Sequence, residues 1–536
     1  MIKRNLLFLV TLMLICPSLV RAAGLCDDPV KTAAGLVRGA IEPDGQTCVW
    51  RGIPYAAPPV GKLRWASPRP HEAWSGVREA TAFGARCMQK GVMEMVNADP
   101  SKHMSEDCLF LNIWRPAKSG KFPVMVWIHG GGYAGGTGNS EFYFGDRMAA
   151  AGDVVIVTIN YRLNVFGFFP LASLQAEDEH HAAGNQGMID QVAALQWVHD
   201  NIENFGGDRD QVTIFGESAG GYSICLLVAT PLAKGLFHRA IMESGGCGGA
   251  PDAKAGFGWA ATAVPKAVGC RVDDLDCLRK LPAKVILEKL GAGMDDGMNG
   301  HQRPHVDGYL LTASPLDLIR AGNYNRVPFI GGFNRDEAAA LLKLKPKMYY
   351  TPPSLYERRL RELGFSADEV RRIVASYPLS DYHNRPVVAI GQMAGSDGFF
   401  GCDTWRGLIA LAEKQPEVWF YRFEYEGFRF SGAMGVAHAM EMPYVFDALD
   451  RAPTDKLYSR AQREAGKPVV RVMQGYWLNF ARTGDPNGSG LPPWPRFTAE
   501  NPEVQVINAE TRAQPAGTLG ERCKLWEEIG HQPEWR

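Results

Sequence analysis

A short strand that turns sharply into a helix around a serine constrains this chain more than any other feature. Residues Gln211 to Gly221 have the sequence Gln-Val-Thr-Ile-Phe-Gly-Glu-Ser-Ala-Gly-Gly, with Ser218 at the centre of a Gly-x-Ser-x-Gly pattern. The backbone of a serine on such an elbow is strained, and side chains at Gly216 and Gly220 would collide with it. The same pattern also occurs in glycine-rich turns that carry no chemistry, so the rest of the chain must decide between the two interpretations.

The surrounding pattern predicts an α/β fold. Residues Phe122–Ile128 and 154–159 are almost continuously apolar, as in strands that are buried on both faces of a parallel sheet. Between Met188 and Phe205, apolar residues recur at helical spacing. Other strand-like runs lie at 239–243, 327–332 and 418–423, and a late helix is predicted at 469–480. We therefore expect a mostly parallel central sheet flanked by helices, with helical insertions, in a single domain over residues 23–536.

The first residues have the pattern of a targeting signal. Met1–Arg4 carries two positive charges, residues 5–16 are apolar, and small residues stand near Ala22. This pattern predicts a signal peptide over residues 1–22 and a secreted or periplasmic protein. Because a membrane-spanning helix needs roughly 20 apolar residues, no membrane anchor is expected.

The charge balance narrows the classes of partner. Lys and Arg together number 57 and Asp and Glu 58, so the net charge of the chain is −1. Without a basic excess, nucleic acid is not expected as a partner. A small molecule is the expected partner, and the oligomeric state is not fixed by the sequence.

A serine nucleophile needs a histidine base, and the histidine needs an acid to orient it. In an elbow fold the acid and the histidine follow the serine in the chain. Asp336 and Glu337 directly follow the strand-like run at 327–332, and His438 follows the run at 418–423. Spacing does not choose between Asp336 and Glu337, and it leaves His383 as another candidate base.

A run of glycines supplies candidate donors for a developing negative charge. Gly130, Gly131 and Gly132 follow the buried strand that ends at Ile128. Their N–H groups, together with that of Ala219, are expected to form an oxyanion hole. The run lacks the Lys and Ser/Thr of a phosphate-binding loop, which argues against nucleotide binding.

Several further motifs accompany these residues. They are Arg51-Gly-Ile-Pro-Tyr-Ala56, Glu106-Asp-Cys-Leu109, His129-Gly-Gly-Gly132, Gly184-Asn-Gln-Gly187 with Asp190-Gln191, Phe205-Gly-Gly-Asp208 and Asn479-Phe-Ala481. With them the chain resembles, from about Pro29 to Cys523, the type-B carboxylesterase and cholinesterase family of α/β-hydrolases. Trp50 stands where many relatives have Phe.

The resemblance implies roles for individual residues. Ser218, His438 and Glu337 take the positions of the catalytic triad, which leaves Asp336 as a neighbour. Gly131, Gly132 and Ala219 take the positions of the oxyanion hole, and Glu217, Ser244 and Glu441 those of a supporting polar network. The implied activity is hydrolysis of carboxylic esters through an acyl-enzyme, with no metal or cofactor.

The resemblance also implies the disulfides Cys87–Cys108, Cys270–Cys277 and Cys402–Cys523. We add Cys26–Cys48, because these two residues bracket a predicted β-hairpin around Pro43-Asp44-Gly45. Cys225 and Cys247 are then left over and are expected to be buried free thiols.

Departures from the family concern the substrate pocket. Ala98 stands where cholinesterases carry the Trp that binds choline, so a site for quaternary ammonium is not expected. Met298 and Gly300 stand near the acyl-pocket Phe positions, with Arg303 close by. We hypothesise bulky or carboxylate-bearing acyl groups as substrates; the alternative is that this segment is a solvated loop.

Two other function classes remain open at this stage. Some relatives use the fold for adhesion without catalysis, although they typically lack the nucleophile or its partners. The same residues also suit amide, thioester or carbamate hydrolysis, since fold alone does not decide the reaction. Because the histidine base must be neutral, we expect activity to rise through roughly pH 6–7.

Overall fold

A computed structural model describes residues 23–90, 98–182, 184–248, 250–292, 300–338, 350–431 and 435–530. The predicted signal peptide 1–22 and the pocket residue Met298 lie outside these ranges. Among the helices within them, none combines the length and apolarity that a membrane crossing requires.

The strands alternate with helices for most of the chain. They are β1 Val30–Lys31, β2 Leu36–Arg38, β3 Ala40–Ile41, β4 Thr47–Pro54, β5 Val77–Glu79, β6 Arg86–Cys87, β7 Met104–Ser105, β8 Phe110–Pro116, β9 Phe122–Ile128, β10 Val155–Ile159, β11 Gly207–Glu217, β12 Arg239–Glu243, β13 Phe329–Asn334, β14 Val418–Phe423, β15 Glu503–Ile507 and β16 Arg512–Pro515.

One large sheet organises the protein. Its 11 strands have the order β16-β15-β14-β13-β12-β11-β9-β10-β8-β4-β3. All neighbouring pairs from β15 to β10 are parallel, whereas the pairs at both edges are antiparallel. The predicted mostly parallel α/β class is confirmed.

Helices cover both faces of the sheet. The α-helices span Ala23–Asp27, Asp146–Gly152, Asn164–Gly167, Ala172–Glu177, Gln186–Asn201, Ala219–Ala229, Ala253–Val268, Leu275–Lys280, Ala283–Leu290, Pro315–Arg320, Tyr356–Glu362, Ala367–Ser376, Pro386–Gly391, Cys402–Ala412, Met442–Val445, Arg460–Thr483 and Leu519–Ile529, and a π-helix spans Gln392–Gly401. Single 3₁₀ turns lie at Gly61–Leu63, Glu141–Tyr143, Ile202–Phe205, Pro231–Ala233, Pro353–Leu355, Leu379–Tyr382 and Thr454–Lys456.

The strands of the centre are apolar on both faces because both faces are covered. In β9, Val124 and Val126 pack into the cluster that includes the helix Gln186–Asn201, while Met125 and Trp127 pack into the cluster that includes Arg460–Thr483. This alternation accounts for the continuously apolar run in the sequence. The late helix is longer than the predicted 469–480, and Ser459 caps its start together with Gln462.

Five disulfides cross-link the chain. Cys26–Cys48, Cys87–Cys108, Cys270–Cys277 and Cys402–Cys523 pair as expected. The expectation of free thiols at Cys225 and Cys247 is wrong, because these two residues form the remaining disulfide. Their Cα atoms are 5.4 Å apart, a separation that a disulfide spans without strain. Sequence alone did not reveal this proximity, since the two cysteines lie on different elements.

Candidate active site

The loops at the carboxyl ends of neighbouring parallel strands meet at one edge of the sheet. Gly131 follows β9, Ser218 follows β11, Ser244 follows β12 and Glu337 follows β13, and His438 lies in the long segment after β14. In parallel sheets, this edge is where loops from several strands converge on one place.

Ser218 stands at a sharp turn between strand and helix. β11 ends at Glu217, and the elbow helix, Ala219–Ala229, begins one residue after Ser218. The backbone of Ser218 has φ +59° and ψ −123°, a conformation that L-residues avoid unless their surroundings impose it. The Ser218 N–H donates to the Glu243 carbonyl at 3.0 Å, and its own carbonyl accepts the Tyr222 N–H at 2.8 Å. These main-chain bonds hold the strained residue in place.

Close packing explains the two glycines of the elbow. A Cβ atom at Gly216 would lie 2.7 Å from the Ile128 carbonyl oxygen, and one at Gly220 would lie 2.0 Å from that same oxygen. The elbow therefore presses directly on the end of β9, from which the glycine run starts. A side chain at either position would separate the two.

The glycine run lies against the serine. A Cβ atom at Gly130 would lie 2.9 Å from the Ser218 Cβ atom. Gly131 and Gly132 have φ values of +108° and +62°, which favour glycine. Ala219 is the first residue of the elbow helix, where N–H groups have no partner within the helix. The geometry thus places the glycine loop and the helix start on either side of Ser218.

The structure distinguishes between the two candidate acids. Glu337 Oε2 lies 2.6 Å from His438 Nδ1, and the Glu337 side chain is fully buried. Asp336 instead accepts the Val436 N–H at 2.8 Å and pairs with Arg335 at 2.7 Å. His383, the other candidate base, lies at an exposed position after a 3₁₀ turn. The acid beside the histidine is therefore Glu337.

Two donors besides the histidine hold the Glu337 carboxylate, and its main-chain N–H makes a third bond. Ser244 Oγ donates to Glu337 Oε1 at 2.6 Å, and the Asn334 N–H donates to the same oxygen at 2.7 Å. The Glu337 N–H donates to Ser396 Oγ at 2.9 Å. The bonds to Oε1 fix the direction of the carboxylate toward His438.

Glu217 and Glu441 add two more buried carboxylates. Glu217 Oε1 lies 3.0 Å from His438 Nε2, but no donor among the described residues is aligned for a hydrogen bond to this oxygen. Burial, opposed by His438 and assisted by Glu337, raises the pKa of Glu217 to about 7. Burial and the neighbouring glutamates raise the pKa of Glu441 to about 8. Its Oε1 lies 3.4 Å from Ser244 Oγ, which links it to the bonds around Glu337.

These carboxylates raise the pKa of His438. Burial alone lowers the pKa of His438, but the charges of Glu217, Glu337 and Glu441 outweigh it and raise the pKa to about 10. The imidazole side chain remains a quarter exposed, at 25%. In this arrangement its Nδ1 faces Glu337 and its Nε2 faces Glu217.

The sequence did not point to several neighbours. The Phe400 ring stacks on the His438 ring at 4.5 Å between centroids, and Asn334 binds Glu441 through its amide. Phe400 and Ser396 both belong to the π-helix Gln392–Gly401, a type of helix often found at functional sites. Of these neighbours, Asn334 was the one that the sequence could have indicated. It stands at the end of a predicted strand, two residues before Asp336, and a buried amide there needs hydrogen-bond partners.

The predicted pocket residues are only partly brought together. Ala98 has φ +43°, and its carbonyl accepts the Glu141 N–H at 3.4 Å. Gly300 precedes His301, whose ring stacks on Trp259 at 5.6 Å. Arg303 lies near the elbow helix, because it interacts with Tyr222 of that helix. Burial lowers the pKa of Arg303, while Tyr222, Tyr133 and Asp403 oppose this shift. Of this group, Arg303 is the residue that the structure ties to the elbow.

Comparison with known proteins places these features in context. The model of the carboxylesterase family matches residues 27–526. The chain is 33% identical over 511 residues to the para-nitrobenzyl esterase of Bacillus subtilis, covering 94% of this chain and 99% of that protein. It is 33% identical over 550 residues to the liver carboxylesterase of Sus scrofa, covering 93% and 92%.

Solved structures agree with the sequence comparisons. A crystal structure of a carboxylesterase from Geobacillus stearothermophilus superposes with a TM-score of 0.78 at 36% identity. The match covers 93% of this chain and 99% of that one.

Proposed function

Because the chain belongs to the carboxylesterase family and is a carboxylic ester hydrolase, we propose that Ser218, His438 and Glu337 are its catalytic triad. The observation that carries this proposal is the 2.6 Å contact between Glu337 and His438, beside a serine that is 5% exposed. A buried carboxylate in this position fixes the tautomer of the imidazole and stabilises its charged form.

The reaction proceeds by acyl transfer in two halves. Ser218 Oγ attacks the ester carbonyl while His438 Nε2 takes the serine proton. The N–H groups of Gly131, Gly132 and Ala219 bind the oxyanion of the tetrahedral intermediate. His438 then gives its proton to the leaving alcohol, and the acyl group stays on Ser218. A water molecule repeats the sequence, releases the carboxylic acid and restores the serine.

Labelling with a reactive organophosphate tests the nucleophile. The wild-type protein should be labelled at Ser218 and lose esterase activity in step with labelling. Ser218→Ala should abolish both, with kcat/KM lowered by at least about 10⁴. Ser173→Ala is a matched control, because Ser173 Oγ donates to the Val272 carbonyl at 2.6 Å in another region, and it should behave as wild type. Labelling and turnover in Ser218→Ala would refute the proposed triad.

A substrate panel separates esters from the alternatives. We expect p-nitrophenyl and alkyl esters to be hydrolysed faster than matched amides, thioesters and carbamates with the same acyl group or leaving group. A preference for carbamates or amides would leave the proposed triad in place but would change the kind of bond that the protein is said to hydrolyse.

We also propose that the acyl group binds beside Arg303 and that the pocket accepts bulky or carboxylate-bearing acyl groups. The support is the proximity of Arg303 to Tyr133 and Tyr222, which adjoin the glycine loop and the elbow. Arg303→Ala should lower the ratio of kcat/KM for a succinate monoester to that for the matched butyrate ester, whereas Arg303→Lys should keep most of it. An unchanged ratio in Arg303→Ala would refute the role of Arg303.

Finally, we propose that residues 1–22 are a signal peptide and that residues 23–536 form one secreted or periplasmic domain. The five disulfides support this location, because such bonds persist in oxidising compartments. N-terminal sequencing of the protein made in its native host should begin at Ala23 or Gly24. A mature protein that retains Met1 would contradict the proposal.

A further inference from the structure

The disulfide that the sequence did not predict joins two walls of the active site. Cys225 lies in the elbow helix, seven residues after Ser218, and Cys247 lies three residues after Ser244. Both side chains are fully buried. The bond therefore connects the helix of the proposed nucleophile to the loop that follows β12.

The residues just before Cys247 are already fixed without the disulfide. The Glu243 carbonyl accepts the Ser218 N–H, and the Ser244 N–H donates to the Gly332 carbonyl at 2.8 Å. The Gly245 carbonyl accepts the Thr404 hydroxyl at 2.9 Å. The disulfide consequently adds little to the position of Ser244, and its effect falls on the residues that follow.

Beyond Gly245 the loop runs closely over the side chains of Tyr222 and Asp403. A Cβ atom at Gly246 would lie 2.9 Å from the Tyr222 ring and 2.5 Å from Asp403 Cβ. A Cβ atom at Gly248 would lie 3.0 Å from Asp403 Oδ1. Tyr222 itself donates to Asp403 at 3.4 Å. Any outward movement of the loop would open a gap between residues 246–248 and the side chains of Tyr222 and Asp403.

The same loop is connected to the segment that carries Arg303. The Val306 N–H donates to the Pro251 carbonyl at 2.8 Å, and the Ala253 N–H donates to the Val306 carbonyl at 3.2 Å. The backbone hydrogen bond that the Cys247 carbonyl accepts comes from Leu316, outside the elbow helix. The disulfide thus joins the elbow helix to a loop whose later residues hydrogen-bond to the segment that carries Arg303.

We propose that the Cys225–Cys247 disulfide determines acyl specificity, because it holds residues 246–248 against Tyr222 and Asp403 and so limits the width of the acyl side of the pocket. The two cysteines act as positioning residues and do not touch the reacting atoms. The proposal rests on the acyl transfer at Ser218 described above, with the acyl group on the Arg303 side.

Two series of esters separate this role from a purely structural one. The first keeps p-nitrophenol as the leaving group and varies the acyl chain from acetyl to butyryl and octanoyl. The second keeps the acetyl group and varies the alcohol. In the double variant C225A/C247A, the octanoate-to-acetate ratio of kcat/KM should rise about threefold or more, because differences of one methylene already change this quantity severalfold. The alcohol series should keep the wild-type ratios.

The chain offers a matched control and a second variant. C270A/C277A also removes one disulfide, in a separate cluster, and should leave both series at wild-type ratios. G246A keeps the disulfide but places a methyl group 2.5 Å from Asp403 Cβ and 2.9 Å from the Tyr222 ring, which moves the loop outward. It should raise the octanoate-to-acetate ratio in the same direction, and it decides the question if C225A/C247A does not fold.

Two results would overturn the proposal. One is an octanoate-to-acetate ratio within about twofold of wild type in folded C225A/C247A, or in G246A if the double variant does not fold. The other is an equal change in both ester series. Failure of the triad proposal is distinguishable, because it would appear as hydrolysis by S218A and not as a change in acyl preference.

Discussion

At the scale of single residues, the effect of the surrounding carboxylates on His438 is the main addition of the structure. The resemblance named Glu217 and Glu441 only as parts of a polar network, whereas their charges, together with that of Glu337, raise the pKa of this imidazole. The base must be neutral to accept the serine proton, so a raised pKa moves the rise of activity to higher pH. The expectation of a rise through roughly pH 6–7 is accordingly shifted upward.

Glu217 is the carboxylate to test first, because its Oε1 lies 3.0 Å from His438 Nε2. Glu217→Gln removes a negative charge that stabilises the imidazolium. The rise of kcat/KM with pH should therefore move to lower pH, by about 1 to 3 pH units for a charge at this distance. The measurement is a pH profile with a slowly hydrolysed ester, for which chemistry limits the rate. An exposed glutamate provides the control: Glu464→Gln should keep the wild-type profile. A profile that Glu217→Gln leaves in place would contradict the electrostatic account.

At this scale, the order of residues along the chain determined how much of the site could be predicted from the sequence. The order of residues in an elbow fold narrowed the candidates for acid and base. The resemblance then selected Glu337 over Asp336 and His438 over His383. The geometry agrees with that selection, since Asp336 is engaged with Arg335 and Val436. The position of Nε2 facing Glu217 could not be predicted, because it depends on side-chain rotation within a buried cluster.

At the scale of elements, the π-helix Gln392–Gly401 supports both Glu337 and His438. Its Ser396 accepts the Glu337 N–H, and its Phe400 stacks on His438. Gly395 packs so closely on the loop after Glu337 that a Cβ atom there would lie 1.8 Å from Ala338 Cβ. No local pattern in the sequence indicated this element, since its extra residue per turn produces no 3.6-residue period.

Removal of the Phe400 ring tests that support. Phe400→Ala takes away a stacking contact worth about 0.5–1.5 kcal/mol and leaves the imidazole less confined. We expect kcat to fall about twofold to tenfold with little change in KM, since the effect is on alignment and not on binding. Phe400→Tyr keeps an aromatic ring and should restore most of the rate. Wild-type kcat in a folded Phe400→Ala protein would show that the stacking does not orient His438.

The strands were the elements best predicted from sequence. β9, β12 and β14 have the bounds expected from their apolar runs, because strands covered on both faces leave a continuous hydrophobic signature. The hairpin predicted around Pro43-Asp44-Gly45 is the antiparallel pair β3–β4 at one edge of the sheet. The antiparallel strand at the other edge, β16, was not predicted, since it is short and partly exposed.

At the scale of the whole molecule, the disulfides differ in what they hold together. Cys402–Cys523 joins residues 121 positions apart, connecting the helix after the π-helix to the last described helix. Cys270–Cys277 joins residues only 7 positions apart. A cross-link restricts the unfolded chain more when the loop that it closes is longer.

Removing each pair should therefore destabilise the protein unequally. C402A/C523A should lower the free energy of unfolding by about 2–3 kcal/mol more than C270A/C277A, from the dependence of loop entropy on loop length. Denaturant titration of the two double variants and the wild type measures the difference. Equal losses would show that the folded-state contacts of each pair, and not the unfolded chain, set its contribution.

The pairing of Cys225 with Cys247 is a feature of the whole molecule that could not be predicted from the sequence. Pairing of cysteines requires knowledge of which elements are neighbours, and the elbow helix and the loop after β12 are neighbours only because β11 and β12 are adjacent in the sheet. The motifs that carry the resemblance do not supply this adjacency, since neither cysteine belongs to them. The order of strands in the sheet supplies it, because β11 and β12 are neighbours and bring Cys225 and Cys247 together.

The close approach of Gly216 and Gly220 to the Ile128 carbonyl has a consequence for how such a protein changes over generations. These contacts and the main-chain hydrogen bonds of Ser218 are formed by backbone atoms, so a substitution that keeps the course of the backbone leaves them in place. Segments around the proposed pocket can therefore change in sequence while the elbow is retained. A library for directed evolution gains most from the same division: diversity belongs in the segments around Ala98 and Arg303, and the two glycines stay unaltered.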